Sequence, residues 1–354
     1  MSRFLNPELL RLTPYTPGEQ PQGGNFVKLN TNESPFPPSD GVIRALNTDE
    51  VKKLNLYSDP TLAPVVNALA QRFGVKNTCV YAGNGSDEVL AVAMYAFGAD
   101  GFRFPDITYG FYTVLCSFFG IEYRQIPLTD SFEINAEDYS GNKSAVVIAN
   151  PNAPTGISLP LSEIEKILKA NRDHVVIVDE AYVEFGGESA SALLDKYDNL
   201  LVVGTFSKAW NLAGARLGYA VGSEELISDM NRLRYSFHPY NVNRLTLLAG
   251  EAAVKDEAYY AACREKIIEN REYVQSELRK LGFTHTLSKA NFIFARPPMG
   301  NAKEIYEKLY ERKILVRYFS GERVKEYLRI SVGSREQMDV FLNGIREIME
   351  EKQA

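Results

Sequence analysis

The residues of this chain that could do chemistry lie in short polar segments that follow hydrophobic runs. The segment TFSKAWNLAGARLGY places Lys208 between the hydroxyls of Thr205 and Ser207. Arg216 follows in the same stretch, which is otherwise rich in small and apolar residues. A lysine held partly out of water beside an anion site can act as a nucleophile and as a base. The segment therefore predicts a reactive amine next to a bound anion.

A second segment, AGNGSDE at residues 82–88, predicts an anion cradle at the start of a helix. Gly85 allows a tight turn, and the backbone amides of Gly85, Ser86 and Asp87 would point at an anion bound on the helix N-terminus. A phosphate is the natural candidate. The competing interpretation is a plain helix cap, in which Ser86 or Asp87 only satisfies the first turn.

Two further segments follow strand-like runs. In VDEAY, Asp179 comes where a hydrophobic run ends, so its carboxylate needs a cationic partner or several donors. A protonated heterocyclic nitrogen fits this position better than a metal, because the nearby sequence offers no suitably spaced histidine other than His174 within the run. In NPNAPTG, two prolines and a glycine predict a rigid loop that presents the amide of Asn152 to a ligand oxygen, although a purely structural turn is the alternative.

These segments are positioned by an alternation of helix-like and strand-like text that begins near residue 60. Short β-branched runs without polar alternation are typical of strands covered on both faces, and β–α alternation indicates parallel pairing. The sequence thus predicts an α/β fold with a large, doubly wound, mostly parallel sheet, whose ligands bind at the strand ends. Helices are predicted at residues 62–73, 86–97, 109–119 and 161–171, and strands at residues 78–81, 101–104, 144–149, 174–178, 200–205 and 217–221.

The rest of the chain predicts two flanking units. Prolines and glycines crowd residues 1–39, which are expected to form an N-terminal strap packing with a small C-terminal domain. A long charged helix over residues 256–281 is a plausible connector, so we predict a large domain at residues 40–270 and a small α+β domain at residues 271–354. In that tail, strands are predicted at residues 291–295, 314–318 and 327–332, and helices at residues 302–312 and from residue 334.

Composition excludes several classes of function. The chain has 354 residues, with 45 Asp and Glu against 39 Lys and Arg, and this acidic balance argues against nucleic-acid binding. The three cysteines are widely spaced without a C-x-x-C motif, which indicates reduced thiols in the cytoplasm. The three histidines are scattered, so no metal site is predicted. Neither a signal peptide nor a membrane-spanning segment is indicated.

Taken in order and spacing, the four segments resemble those of the fold type I aminotransferases that depend on pyridoxal phosphate. The segments PYTPGEQP, LNTNESPFPP, YSDP, GNGSDE and PYNVNRLT narrow the likeness to the histidinol-phosphate aminotransferases, and it extends over essentially the whole chain. Two departures, Ala153 where relatives commonly have another residue and Ser58 where proline is usual, touch no catalytic role.

The resemblance implies a role for each matched residue. Lys208 would form the Schiff base with the cofactor aldehyde and shuttle the substrate proton, and Asp179 would keep the ring nitrogen protonated. Tyr182 and Asn152 would bond the ring hydroxyl oxygen, while Tyr109 would stack on the ring face. The remaining cofactor contacts would be made to the phosphate, by Gly85, Ser86, Asp87, Thr205, Ser207 and Arg216. Tyr57 would reach the phosphate of a neighbouring subunit, which implies a homodimer with shared sites.

For the substrate, the resemblance matches Arg329 to the arginine that receives the carboxylate of the amino-acid partner, with Arg317, Tyr15 and Asn32 lining the pocket. The expected reaction is transamination of histidinol phosphate with 2-oxoglutarate, a step of histidine biosynthesis. An aromatic amino-acid aminotransferase acting on Phe or Tyr, a phosphothreonine decarboxylase, or one enzyme with both aminotransferase activities stays open, because Lys208 and Asp179 serve all of them. A non-catalytic regulator on the same fold would carry a DNA-binding unit, for which this chain has neither spare length nor a basic patch.

Overall fold

A computed structural model describes residues 12–21, 24–46, 49–141, 143–298 and 300–351 of the chain. The strands are, in chain order, β1 (Val27–Lys28), β2 (Val80–Gly83), β3 (Phe102–Pro105), β4 (Tyr123–Ile126), β5 (Ala145–Ala149), β6 (Val176–Asp179), β7 (Leu200–Thr205), β8 (Gly218–Gly222), β9 (Thr284–His285), β10 (Phe292–Arg296), β11 (Ile314–Leu315), β12 (Arg317–Tyr318) and β13 (Leu328–Ser331). The α-helices are α1 (Asp40–Leu46), α2 (Ala63–Phe73), α3 (Gly85–Phe97), α4 (Phe111–Phe119), α5 (Leu161–Ala170), α6 (Glu224–Phe237), α7 (Arg244–Lys255), α8 (Glu257–Lys280), α9 (Ala302–Glu311) and α10 (Arg335–Glu350).

A seven-stranded sheet forms the centre of the fold, in the order β2-β8-β7-β6-β5-β3-β4. Its middle strands are wholly buried because helices cover both faces. Val147 packs on one side with α3 and α4, whereas Val146 and Ile148 pack on the other side with α5. Continuous apolar runs, rather than alternating ones, are what such doubly covered strands require. The predicted α/β class with a doubly wound, mostly parallel sheet is therefore confirmed.

The exception to parallel pairing is β8, which runs antiparallel to both β7 and β2. The prediction of a mostly parallel sheet allows for one strand of this kind. Between β7 and β8 the chain makes only a short 3-10 turn, Ala213–Ala215, and no α-helical crossover. Because a parallel return needs such a crossover, the chain comes back antiparallel and brings its intervening loop over the sheet edge.

One predicted strand needs correction, and some elements were not predicted. The strand predicted at residues 314–318 is split, because β11 pairs with β1 while β12 pairs with β13 on a different sheet. β4 was not predicted, since it is an edge strand whose sequence YRQI is largely exposed. Helices α6 and α7 were also missed, although Ser223 and Asn243 cap them by accepting backbone N–H groups three residues on.

The smaller, four-stranded sheet has the order β12-β13-β10-β9 and is antiparallel throughout. The N-terminal segment lies against this part of the chain, since β1 pairs with β11 and the Arg317 guanidinium donates to the carbonyls of Thr16 and Pro17. Residues 1–11 of the predicted strap lie outside the described residues. The division at residue 270 stays a prediction, and it falls inside the continuous helix α8. Among the described helices, none is long and apolar enough to cross a bilayer.

Close packing around Gly250 gives a test of the fold. A Cβ atom at Gly250 in α7 would lie 2.3 Å from Leu217 Cδ2 and 2.8 Å from Val65 Cγ2, and both neighbours are buried. We expect Gly250→Ala to lower the free energy of unfolding by about 1–3 kcal/mol, because this overpacking outweighs the gain in helix propensity. Urea unfolding followed by circular dichroism measures the change.

Gly214→Ala is the matched control, because a Cβ at Gly214 meets nothing within 4 Å. A Gly250→Ala protein that unfolds at the same urea concentration as Gly214→Ala would show that α7 does not pack against Leu217 in this way.

Candidate active site at the ends of the parallel strands

A cavity of about 580 Å³ opens where β5, β6 and β7 end. Its volume falls in the range of about 300–1,000 Å³ that is usual for small-molecule sites. Most of the sequence-predicted site residues line it, namely Tyr15, Asn32, Ser86, Asp87, Tyr109, Asp179, Tyr182, Thr205, Ser207, Lys208, Arg216, Arg317 and Arg329. A larger and more open cleft of about 900 Å³ lies beside β2 and α6, but none of the predicted residues line it. The chemistry is therefore concentrated in the smaller cavity.

Lys208 enters this cavity from the turn that follows β7. The apolar neighbours Phe206 and Trp210 are buried and anchor the turn on either side of the lysine. The Lys208 Nζ donates a hydrogen bond of 3.1 Å to the carbonyl of Thr31. Burial and the nearby Arg329 guanidinium lower the pKa of the Lys208 amine to about 8. A substantial fraction of this amine is thus neutral, and nucleophilic, near physiological pH.

Asp179 ends β6 at the floor of the cavity and is only 5% exposed. Its Oδ2 accepts a hydrogen bond of 2.7 Å from the Tyr112 hydroxyl, and its Oδ1 accepts one of 3.3 Å from the Ala181 N–H. Burial raises the pKa of the Asp179 carboxyl to about 6, and the two donors oppose that rise. Within the described residues no cationic side chain pairs with it. A buried carboxylate in this state suits a ligand that brings its own positive charge.

The predicted anion cradle forms between the start of α3 and Arg216. Gly85 has a φ of +81°, and a Cβ there would lie 2.7 Å from Arg216 Nη2, so only glycine allows this approach. The Asp87 carboxylate accepts hydrogen bonds of 3.0 Å from both Arg216 Nη2 and the Tyr109 hydroxyl. The side chain of Asp87, and not only its backbone, therefore orients the guanidinium and the aromatic ring.

Arg329 and Arg317 supply two cations on the opposite wall. Arg329 donates from Nη2 to the Asn30 carbonyl at 2.9 Å, while its buried Nε has no partner among the described residues. Arg317 donates only to the carbonyls of Thr16 and Pro17. Burial and the charge of Arg317 lower the pKa of Arg329. In the described part of the chain neither guanidinium meets a carboxylate, so both are available to an anionic ligand.

Two of the predicted pocket residues, Asn32 and Tyr15, contact other residues of the cavity wall. Asn32 donates from Nδ2 to the Tyr182 hydroxyl at 3.1 Å and accepts from the Ser331 hydroxyl at 2.9 Å. The Tyr15 ring packs edge-on against Tyr109, with ring centres 6.0 Å apart. These contacts restrict the orientation of Tyr182, Tyr15 and Tyr109, which all line the cavity.

Three predicted residues do not line the cavity. Asn152 gives its amide hydrogens to the Ile107 carbonyl at 2.9 Å and the Thr155 hydroxyl at 3.2 Å, so the predicted donation to a ligand is not available in this arrangement. Gly85 shapes the cradle from behind. Tyr57 is 79% exposed and stacks on Tyr240 away from the cavity.

The sequence interpretation missed several residues that the fold brings to the site. Thr31 and Glu33 line the cavity from the N-terminal segment, and Phe319 lines it from the far end of the chain. Tyr112 bonds Asp179 from below. The one usable signal was its spacing, since Tyr112 lies three residues after Tyr109 on a predicted helix and must share its face.

The residues present fit pyridoxal phosphate, the group that the family resemblance implies. Lys208 offers an amine for its aldehyde, Asp179 offers a buried carboxylate that lacks a cation, and Arg216 with the Thr205 and Ser207 hydroxyls offers an anion site for its phosphate. The donor set thus matches the three reactive or charged parts of that molecule.

Comparisons with known proteins agree with this chemistry. Residues 24–345 match the family model described as aminotransferase class I and II. A histidinol-phosphate aminotransferase of Marinomonas sp. is 49% identical over 98% of this chain and 100% of its own. One from Acetobacter pasteurianus is 47% identical over 99% of both chains. The crystal structure of the Sinorhizobium meliloti histidinol-phosphate aminotransferase with pyridoxal-5'-phosphate superimposes with a TM-score of 0.89, at 23% identity over 99% of both chains.

The lowered pKa of Lys208 can be measured directly on protein from which any cofactor has been removed. We expect its rate of arylation by 1-fluoro-2,4-dinitrobenzene, followed by peptide mass spectrometry, to rise with pH around a pKa of about 8. Arg329→Gln should move that pKa upward, because it removes a cation that disfavours the charged amine.

Arg317→Gln is the control, since the largest effects on the pKa of Lys208 come from burial, Arg329, Glu33, Asp87 and Arg216. A Lys208 that titrates near 10.4, the ordinary value for lysine, would contradict the described surroundings of the amine.

Proposed function

The chain belongs to the class I and II aminotransferases, and on this premise we propose that it transfers the amino group of L-histidinol phosphate to 2-oxoglutarate. The products would be imidazole acetol phosphate and L-glutamate, in histidine biosynthesis. The comparisons confirm three predictions made from the sequence, which are the family membership, the enzyme class and the fold type I architecture. The observation that carries the proposal is one cavity that joins a partly buried lysine with a lowered pKa, a buried carboxylate and two arginines that meet no carboxylate among the described residues.

Pyridoxal phosphate, when bound, supplies the electron sink for breaking bonds at the substrate α-carbon. Asp179 would hold the ring nitrogen, and the Tyr109 ring would cover one face of the heterocycle. The hydroxyls of Thr205 and Ser207, the Arg216 guanidinium and the amides at the start of α3 would hold the phosphate. Asp87 already fixes Arg216 and Tyr109 with respect to each other, which limits the reorganisation that binding requires.

Lys208 is the group that moves the proton. Because burial and Arg329 keep its pKa near 8, the Nζ can accept the proton from the substrate α-carbon, and it would then deliver that proton to the ligand carbon that takes over the amino group. Its hydrogen bond to the Thr31 carbonyl directs the amine while it is charged. Tyr182 receives a hydrogen bond from Asn32, so its own O–H is left to donate to a ligand oxygen.

Arg329 and Arg317 suit the two anions that the proposed reaction presents. The carboxylate of glutamate and the phosphate of histidinol phosphate must occupy the same cavity in turn. A guanidinium with a free Nε edge can bind either anion through two parallel hydrogen bonds. The relatives at 47–49% identity support histidinol phosphate as the phosphorylated substrate.

We further propose that the enzyme is a homodimer with shared sites. Tyr57 and Tyr240 are exposed and stack with ring centres 4.5 Å apart, and Phe237, three residues before Tyr240 in the chain, is 89% exposed. We propose that these three side chains form one aromatic patch. Tyr57 lies outside the cavity of its own chain, so the contact with a phosphate that the family resemblance implies could be made only to a second copy. Large exposed aromatic side chains of this kind commonly mark protein interfaces.

The cytoplasmic location predicted from the sequence remains part of this proposal. Cys79, Cys116 and Cys263 are all unpaired, which suits a reducing compartment.

The reaction is tested by one half-reaction in a stopped-flow instrument. Protein saturated with pyridoxal phosphate is mixed separately with histidinol phosphate, phenylalanine and phosphothreonine, and the cofactor absorbance is followed. We expect conversion to the amine form of the cofactor to be more than about tenfold faster with histidinol phosphate than with phenylalanine, because the phosphate adds charge-assisted hydrogen bonds to arginine.

Lys208→Ala is the control, because it should abolish multiple turnovers and the adduct that borohydride traps on the wild-type chain. Comparable rates with phenylalanine would instead make this a broad aminotransferase, and carbon dioxide released from phosphothreonine would make it a decarboxylase. No cofactor absorbance at all would refute pyridoxal phosphate dependence.

The dimer is tested by sedimentation velocity together with cofactor retention. We expect wild type to sediment as a dimer, Phe237→Asp to dissociate because it buries a charge in the patch, and Tyr57→Phe to stay dimeric but retain pyridoxal phosphate less well. Leu287→Asp, at a position that is 80% exposed outside the patch, is the matched control. A dimer that survives Phe237→Asp would place the interface elsewhere.

A further inference from the structure

Tyr112 is a fully buried tyrosine whose hydroxyl contacts the floor of the active site. Its oxygen is 2.7 Å from Asp179 Oδ2. The side chain lies in the first turn of α4, beneath the cavity rather than in its wall. Neither the motifs nor the proposed reaction gives this residue a role.

Packing on two sides fixes the direction of the Tyr112 hydroxyl. Its ring meets Tyr109 edge-to-face, with centres 5.6 Å apart and planes at 87°, and it packs against Phe104 at 5.7 Å. Such edge-to-face pairs are favourable beyond their buried area and restrict ring rotation. Tyr112 therefore touches both the aromatic ring that would cover the ligand and the carboxylate that would hold its nitrogen.

Tyr112 is the dominant donor to Asp179. The other hydrogen bond to this carboxylate comes from the Ala181 N–H at 3.3 Å, close to the upper limit for such bonds. Because Oδ2 is occupied by the short bond, Oδ1 is the freer oxygen. Loss of the Tyr112 hydroxyl would leave a buried carboxylate with one long hydrogen bond and freedom to rotate.

We propose that Tyr112 is a positioning residue that orients the Asp179 carboxylate and keeps it as the partner of a cationic ring nitrogen. This inference rests on the proposed function, because pyridoxal phosphate is the molecule that would bring that nitrogen. Tyr112 acts through Asp179 and touches no substrate.

The electrostatics agree with the geometry. Burial and the Asp179 charge raise the pKa of Tyr112 well above its usual value, so the phenol stays protonated and can only donate to the carboxylate. A donor to the ionised form lowers the pKa of Asp179 against the effect of burial. Without this donor, the carboxyl would take up a proton at higher pH and lose its charge where the charge is needed.

The test compares two ligands that differ at one ring atom. Full-length apoprotein is titrated with pyridoxal phosphate and with 1-deazapyridoxal phosphate, in which carbon replaces the ring nitrogen. We expect wild type to prefer the nitrogen-containing ligand and Tyr112→Phe to reduce this preference by about tenfold, the scale of one hydrogen bond to a charged group. In an Asp179→Asn background, Tyr112→Phe should leave the preference unchanged, because its route of action is gone.

Tyr139→Phe is the matched control, because Tyr139 is equally buried and its hydroxyl has no partner among the described residues. It should leave the preference of the protein between the two ligands as in wild type. If Tyr112→Phe does not fold, 4-aminophenylalanine at position 112 keeps the shape and a weaker donor, and an intermediate preference is then expected.

Equal weakening of both ligands, or an unchanged preference, would overturn the proposal and leave Tyr112 as a packing residue. Wild-type protein that binds neither ligand would refute the proposed function instead, so the two failures are distinguishable.

Discussion

The site depends on keeping a buried amine and a buried carboxylate apart. Lys208 and Asp179 follow neighbouring parallel strands, yet in the described structure the amine bonds the Thr31 carbonyl and the carboxylate bonds Tyr112. An ion pair between them would hold the lysine charged and satisfy the carboxylate, and neither would then need a ligand. Because their partners are separate, the Lys208 amine can lose its proton, and the Asp179 carboxylate stays without a cation. Both groups can therefore react with or bind a ligand.

The other charged groups of the cavity are also arranged so that positive charge is left for a ligand. Asp87 pairs with Arg216, which fixes one cation at the anion cradle. Arg317 and Arg329 donate to backbone carbonyls and lie over aromatic rings, and neither pairs with a carboxylate among the described residues, so their charge is available to an entering anion. Burying these polar groups lowers the stability of the folded state. The apolar layers on both faces of the large sheet stabilise the fold and offset this loss. The regular scaffold can therefore accommodate a site in which Asp179, Arg317 and Arg329 have no charged partner among the described residues.

The sequence predicted the parts of the site that follow directly from strand ends. Asp179 and Lys208 come with the buried apolar runs of β6 and β7, which are typical of strands in the centre of a sheet, and the cradle at Ser86 follows the buried edge strand β2. Tyr112 was missed because an aromatic residue on the apolar face of a predicted helix is usually a core residue. Only the tertiary fold shows that its hydroxyl contacts a carboxylate. Asn152 was predicted to donate to a ligand, but its amide hydrogens are bonded to the Ile107 carbonyl and the Thr155 hydroxyl. These two bonds depend on the shape of the loop, which the sequence alone does not specify. The antiparallel direction of β8 follows from the lack of an α-helix between β7 and β8. The sequence pattern shows where these strands lie but gives little information on their relative direction.

The segment around Asn32 has a consequence for the order in which the molecule is built. Asn32 contacts Ser331, and Asn30 contacts Arg329, across a separation of 299 residues in each case. Thr31 between them is the partner of the Lys208 amine. During synthesis this segment is made long before β13 and must wait for that strand before it has a place to lie. The large sheet can assemble earlier, but Lys208 acquires its final surroundings only after β13 has emerged, so a nascent chain carries the lysine without the environment that makes it reactive.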